Sequence, residues 1–151
     1  MNSGVITVTT LAASRTRHLM TARARICLID DDIFVRDAMA LGLGDAGFDV
    51  ITAPGAAAGF DIASRELIHA IITDMNMPGT GGAQFIPEAH ARWPDIPIIA
   101  ISGAAVLDGR NTADVARELG ADATLIKPFR ARELAALIDS VVAKRKNSLE
   151  A

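Results

Sequence analysis

The stretch from Ile26 to Asp32, ICLIDDD, joins a short apolar run to three adjacent carboxylates. Consecutive apolar side chains without alternation indicate a strand buried on both faces, as in a parallel sheet covered by helices. Two like charges about 4 Å apart repel by about 4 kcal/mol at an effective dielectric of 20, so three carboxylates at a strand end are costly. The stretch therefore predicts a buried strand and a positive group that compensates its carboxyl end.

Four more apolar runs follow, at residues 49–52, 70–74, 97–102 and 123–127. Segments with helical periodicity lie between them, and glycines at 47 and 120 are typical of helix ends. Alternation of strand and helix five times over predicts an α/β fold with a doubly wound parallel sheet. We expect helices in three segments in particular: residues 35–46, residues 108–119, and a last helix that buries Leu134, Leu137, Ile138 and Val141.

Reactive side chains end most of the predicted strands. Asp74 closes the third run, Ser102 the fourth and Lys127 the fifth. Ligands of doubly wound sheets bind beyond the carboxyl ends of the strands, so these side chains are expected beside Asp30 and Asp31. A divalent cation such as Mg²⁺ prefers carboxylate oxygens, and a lysine offers a point charge to a phosphoryl oxygen. The set favours phosphorylation of an aspartate.

Composition limits the other possibilities. The net charge is -3, and the basic residues concentrate in residues 1–25 and at 144–146, so no basic patch on the domain predicts nucleic-acid binding. No apolar stretch approaches the ~20 residues of a membrane span. The single cysteine, Cys27, is predicted to be a buried apolar residue, and we expect a cytoplasmic protein. Residues 1–24 lack periodicity and are predicted to form a disordered extension, with Met20 as an alternative start.

Four motifs resemble the receiver domain of bacterial two-component response regulators. They are LIDDD at residues 28–32, ITDMNMPGTGG at 72–82, IIAISG at 98–103 and LIKPF at 125–129. Their order and spacing agree with that family, and the resemblance covers about residues 25–145. It implies a flavodoxin-like sheet with strand order 2-1-3-4-5, a receiver domain over residues 25–146 and a tail at 147–151.

The resemblance also implies a role for each residue of the site. Asp74 matches the phosphoacceptor. Asp30 and Asp31 match the acidic pair that binds Mg²⁺ or Mn²⁺, Asp31 directly and Asp30 mostly through water. The remaining roles are metal ligation by the backbone carbonyl of Asn76, the switch hydroxyl of Ser102, phosphate contact by Lys127, and a cis peptide bond before Pro128. Asp32 falls at a helix start and is predicted to be an N-cap.

The chain departs from the family pattern at several positions. Gly81-Gly82 stands where Asp-Gly is common, and Pro87 is expected to kink the third helix or delay its start. Thr124 occupies a position on the fifth strand that usually holds an aromatic switch residue. The segment from Gly103 to Ala116 is a few residues longer than in common receivers, so the switch must involve Ser102 and the loop after it.

The resemblance implies a stand-alone signalling module that assists its own phosphorylation and dephosphorylation but is not an enzyme. Its partners would be a histidine kinase or histidine phosphotransfer protein, and a downstream protein that recognises the 103–146 surface. It could also act as a phosphate sink. Nucleic acid and membrane are not expected partners. Two alternatives remain open: a haloacid-dehalogenase-type phosphatase with Asp30 as nucleophile, and a receiver that binds partners without phosphorylation.

Overall fold

A computed structural model describes residues 24–77 and 79–150 of the chain. The predicted disorder of residues 1–24 and the alternative start at Met20 concern residues that, apart from residue 24, lie outside this range. The described elements, in chain order, are β1 Arg25–Ile29, α1 Ile33–Asp45, β2 Asp49–Ala53, α2 Ala56–Arg65, β3 Ala70–Asp74, α3 Gly82–Arg92, β4 Ile98–Ser102, β5 Val106–Leu107, β6 Arg110–Asn111, α4 Thr112–Leu119, β7 Ala123–Ile126 and α5 Ala131–Glu150.

Five parallel strands form the main sheet in the order β2-β1-β3-β4-β7. This is the predicted order 2-1-3-4-5, because β7 is the fifth strand of this sheet. Every residue of β3 and β4 is buried, as their continuous apolar sequences predict. The strand order reverses beside β1, which places the carboxyl ends of β1 and β3 next to each other.

The core has two layers because successive side chains of a strand point to opposite faces of the sheet. One layer contains Cys27 and Ile29 of β1 with Phe85 of α3. The other contains Ile26 and Leu28 of β1, packed with Leu43 of α1 and Leu134 of α5. The doubly wound architecture is therefore confirmed, with helices covering both faces.

Several predicted helix ends and faces are confirmed. The Asp32 side chain caps α1 by accepting hydrogen bonds from the backbone N–H groups of Phe34 and Val35. Gly120 follows α4 with a φ of 119°, the left-handed conformation that glycine tolerates best. Leu134, Ile138 and Val141 of α5 are buried as expected, with Leu137 packed partly buried beside them. No helix in the described part of the chain is both long and apolar enough to cross a membrane.

The prediction of a helix from residue 108 is wrong, because residues 106–111 form an antiparallel β-hairpin. Its two turn residues, Asp108 and Gly109, have φ angles of 49° and 77°. Positive φ at both central residues suits a two-residue hairpin turn, for which Asp-Gly is a preferred sequence. Helix α4 begins only at Thr112, with Asn111 as its N-cap.

Helix α3 contains Pro87 but begins at Gly82, so the proline does not delay its start. Gly81 is the N-cap and offers no side-chain hydrogen bond. Thr124 lies half-buried in β7, paired with Ala100 of β4, where the resemblance leads one to expect an aromatic ring.

Candidate functional site

The carboxylate of Asp74 lies at the end of β3, and the residue is only 6% exposed. One of its oxygens accepts a hydrogen bond of 2.8 Å from the backbone N–H of Asn76. The other accepts a hydrogen bond of 2.8 Å from the Nζ of Lys127. Asp74 is thus a buried carboxylate held in a fixed orientation from both sides.

Asp30 ends up beside Asp74 because β1 and β3 are neighbours in the sheet. It is 1% exposed, and its Oδ1 accepts a 2.9 Å hydrogen bond from the N–H of Asp32. Its buried Oδ2 has no hydrogen-bond donor and lies 3.6 Å from Lys127 Nζ. Burial raises the pKa of the Asp30 carboxyl, against the Asp32 hydrogen bond and the charge of Lys127, while the charges of Asp74 and Asp31 add to the rise.

Asp31 completes an acidic cluster and is exposed to solvent. One carboxylate oxygen from each of Asp30, Asp31 and Asp74 lies within 4.8 Å of the others. A buried oxygen without a donor next to two other carboxylates is a donor set that suits a hard divalent cation. The residues present therefore fit Mg²⁺, with Asp31 on the solvent side.

Lys127 reaches this cluster from the end of β7, and its side chain is 29% exposed. Burial by itself lowers the pKa of its ammonium group, but the hydrogen bond and charge of Asp74, with the charge of Asp30, outweigh it and raise the pKa above 10.5. Lys127 therefore carries its positive charge to the acidic cluster. The Lys127–Pro128 peptide bond that follows it is cis.

Ser102 ends β4 on the same edge and is fully buried. Its hydroxyl donates a 3.0 Å hydrogen bond to the Ala104 carbonyl and accepts one of 3.1 Å from the Ala104 N–H. The Lys127 N–H donates to the Ser102 carbonyl at 2.8 Å, which joins the ends of β4 and β7. In this structure the Ser102 hydroxyl is bonded to its own loop.

Two further residues shape the site. A Cβ on Gly82 would lie 2.8 Å from Met75 Cα and 3.1 Å from the Asp74 carbonyl oxygen, so only glycine fits there without a shift. Arg36 donates from its guanidinium to the Asp30 carbonyl oxygen at 3.0 Å. The Gly81-Gly82 pair was visible in the sequence only as a departure from the family pattern, and nothing there indicated its contact with Asp74.

An open cleft of about 600 Å³ lies beside the acidic cluster, lined in part by Asp31, Asn76 and Gln84. Asn76 is exposed in it, and its backbone N–H is the group that contacts Asp74. Of the three carboxylates, Asp31 is the one that lines this cleft.

A doubly wound five-stranded sheet with three carboxylates and a lysine at its carboxyl edge defines a flavodoxin-like fold with a charged site. The family model described as the response regulator receiver domain matches residues 26–139 of the chain. The transcriptional regulatory protein FixJ of Bradyrhizobium diazoefficiens is 32% identical over 123 residues, which are 82% of this chain and 58% of that protein.

The transcriptional regulatory protein PrrA of Mycobacterium tuberculosis is 32% identical over 121 residues, covering 80% of this chain and 51% of PrrA. Among solved structures, the chemotaxis protein CheY4 of Vibrio cholerae has a TM-score of 0.73 at 26% identity, covering 80% of this chain and 99% of that one. The chain therefore spans little more than half the length of FixJ and of PrrA.

The chain belongs to the response regulator receiver domain family, the signalling modules of two-component systems. The alternative of a haloacid-dehalogenase-type phosphatase with Asp30 as nucleophile has no support from these comparisons.

Proposed function

We propose that Asp74 accepts a phosphoryl group from a histidine kinase or a histidine phosphotransfer protein. The observation that carries this proposal is the buried Asp74 carboxylate, fixed by Lys127 and by the Asn76 N–H, within 4.8 Å of two other carboxylates. An oxygen of Asp74 attacks phosphorus and forms an acyl phosphate. The P–N bond of the donor phosphohistidine breaks, and its electron pair returns to the imidazole nitrogen.

The site as proposed holds Mg²⁺ through Asp30, Asp31, Asp74 and the backbone carbonyl of Asn76, and Mn²⁺ suits the same oxygens. When bound, the cation supplies positive charge that neutralises the phosphoryl oxygens. Lys127 is 2.8 Å from Asp74 already and contacts a phosphoryl oxygen after transfer. The same groups also assist the later hydrolysis, so the domain takes part in its own phosphorylation and dephosphorylation.

Phosphorylation adds about two negative charges to the site. We propose that Ser102 then turns its hydroxyl from Ala104 to a phosphoryl oxygen, while Lys127 moves from the carboxylate to the phosphoryl group. This changes the loop at residues 103–110 and helix α4, within the 103–146 surface that a downstream partner recognises. In this proposed role the receiver domain spans residues 25–146 and acts in the cytoplasm.

Phosphorylation of the full chain by acetyl phosphate with Mg²⁺ tests the proposal. Intact mass spectrometry is expected to show one added phosphoryl group in the wild type and none in Asp74→Asn. Asp37→Asn, an exposed carboxylate of α1, is the matched control and is expected to behave like the wild type.

Two results would contradict the assignment. Labelling that survives in Asp74→Asn and disappears in Asp30→Asn would favour the phosphatase alternative. No labelling of the wild type by acetyl phosphate, or by a phosphorylated phosphotransfer domain, would favour partner binding without phosphorylation.

A further inference from the structure

Thr112 is the first residue of α4 and is fully buried, although its side chain is polar. Its hydroxyl donates a 2.6 Å hydrogen bond to the backbone carbonyl of Ala104. Its backbone N–H donates a 2.9 Å hydrogen bond to the carbonyl of Ala105. Thr112 therefore holds two successive peptide groups of the loop that follows Ser102.

The Ala104 carbonyl is shared, because the hydroxyl of Ser102 donates to the same oxygen at 3.0 Å. A carbonyl oxygen has two lone pairs, so it accepts both hydroxyls at once. The Ala104 N–H in turn donates to Ser102 at 3.1 Å. The Ala104 carbonyl thus connects the proposed switch hydroxyl with the start of α4.

The two donors have different consequences for switching. When Ser102 turns towards a phosphoryl group, the Ala104 carbonyl loses that donor but keeps the hydrogen bond from Thr112. If Thr112 had no hydroxyl, the same rotation would leave the carbonyl without either donor. An unsatisfied polar group is costly, so the hydroxyl of Thr112 favours the rotated Ser102 relative to the resting one.

We propose that Thr112 is a positioning residue for the Ser102 switch, which lets the serine hydroxyl leave Ala104 and links its rotation to the β5–β6 hairpin and α4. This inference rests on the proposed function, in which Ser102 contacts the phosphoryl group. The hairpin ends at Asn111, directly before Thr112, and Arg110 pairs with Glu118 of α4 at 2.5 Å. Thr124, by contrast, carries no aromatic ring that could report the change.

Beryllofluoride, a phosphoryl mimic, tests the inference when titrated with Mg²⁺ into the full chain and followed by NMR. Thr112→Val keeps the shape of the side chain and removes its hydroxyl. We expect half-saturation of this variant at an approximately five- to tenfold higher beryllofluoride concentration, the effect of about one hydrogen bond. Thr112→Ser keeps a hydroxyl and is expected to restore binding close to that of the wild type.

Ser102→Ala separates this inference from the proposed function. We expect it to weaken beryllofluoride binding, and we expect Thr112→Val to have no further effect in that background, because no serine hydroxyl is left to turn. Wild-type binding by Thr112→Val together with weakened binding by Ser102→Ala would overturn the role of Thr112 alone. Wild-type binding by Ser102→Ala would overturn the proposed switch and the inference with it.

Amide hydrogen exchange in the wild type tests the same idea without relying on the fold of a variant. With beryllofluoride and Mg²⁺, the Ala104 N–H loses Ser102 as its acceptor and is expected to exchange faster. The Thr112 N–H is expected to stay protected, because its bond to Ala105 anchors the loop. Faster exchange at both amides, or at neither, would overturn the inference.

Discussion

Lys127 is the residue at which the charge balance of the site is most easily changed. Its Nζ lies 2.8 Å from an oxygen of Asp74 and 3.6 Å from one of Asp30. In Lys127→Ala these carboxylates repel without compensation, so we expect Mg²⁺ to bind about three- to tenfold more tightly. The melting temperature is expected to fall in EDTA and to rise more on addition of Mg²⁺ than it does in the wild type.

Isothermal titration of Mg²⁺ and thermal melts check this expectation. Lys144→Ala removes an exposed lysine from α5 and is the matched control, with Mg²⁺ affinity expected to match the wild type. Equal or weaker Mg²⁺ binding by Lys127→Ala would show that the lysine does not offset the carboxylate charge.

Cys27 illustrates how burial in the sheet sets the chemistry of a side chain. It is 0% exposed in β1, and burial raises the pKa of its thiol from 9.0 to about 12. The thiol ionises earlier in the unfolded chain, so the free energy of unfolding is expected to decrease as the pH rises from about 9 towards 12. Cys27→Ala lacks this component and is expected to lose less stability over that interval.

Urea denaturation at several pH values measures the difference. Native protein at neutral pH is also expected to resist thiol reagents until it unfolds. Rapid labelling of the native thiol would show that β1 opens locally.

The sequence was sufficient to predict which side chains meet, because parallel strands bring their carboxyl ends to one edge. That rule alone predicts the proximity of Asp30, Asp31, Asp74 and Lys127. The hydrogen bonds of the Ser102 hydroxyl could not be predicted in this way. They depend on the position of the Ala104 backbone, which no residue pattern encodes. The role of Gly82 was missed for a similar reason, because a close backbone approach appears only when the loop is folded.

Two glycines of α1, Gly42 and Gly44, provide a matched pair of sites for alanine substitution. A Cβ on Gly42 would lie 2.5 Å from the Cβ of Ala131, where α1 meets α5, whereas a Cβ on Gly44 would meet nothing within 4 Å. Gly44→Ala is expected to stabilise the protein by about 0.5 kcal/mol through helix propensity. Gly42→Ala is expected to destabilise it by about 1–3 kcal/mol, because the two helices must separate.

Chemical denaturation of both variants tests the contact between α1 and α5. Since the substitution is the same and the helix is the same, a difference between the variants reports packing and not propensity. Stabilisation by both substitutions would mean that the helices separate at little cost.

Among the elements, the sequence predicted the five strands of the sheet and missed the β5–β6 hairpin. Each hairpin strand has only two residues, too few for alternation of apolar and polar side chains to be recognised. Asp108-Gly109 is a preferred sequence for a hairpin turn, but it directly precedes residues with helical periodicity, which favour a helix from residue 108. The predicted start of α4 was therefore wrong, because a turn sequence and a helical pattern lie side by side at this point in the chain.

In the whole molecule, the sheet separates two apolar layers, and each of β1, β3 and β4 contributes side chains to both of them. Trp93 packs against the layer of Phe85, with its ring centroid 6.2 Å from that of Phe60. Leu134 of α5 is fully buried in the opposite layer. Since side chains of β1, β3 and β4 alternate between the layers, we expect neither layer to persist when the other is lost, and hence a two-state transition.

Leu134→Ala tests this cooperativity, because Trp93 is the single tryptophan and reports only on the other layer. The substitution is expected to lower the free energy of unfolding by about 2–5 kcal/mol. If the two layers unfold together, the midpoints seen by tryptophan fluorescence and by far-ultraviolet circular dichroism shift equally in urea. A fluorescence midpoint that stays at the wild-type value while the circular dichroism midpoint moves would show that the layers unfold separately. Such independence would also mean that α5, with residues of the surface proposed for a partner, can detach while the layer of Phe85 and Trp93 stays folded.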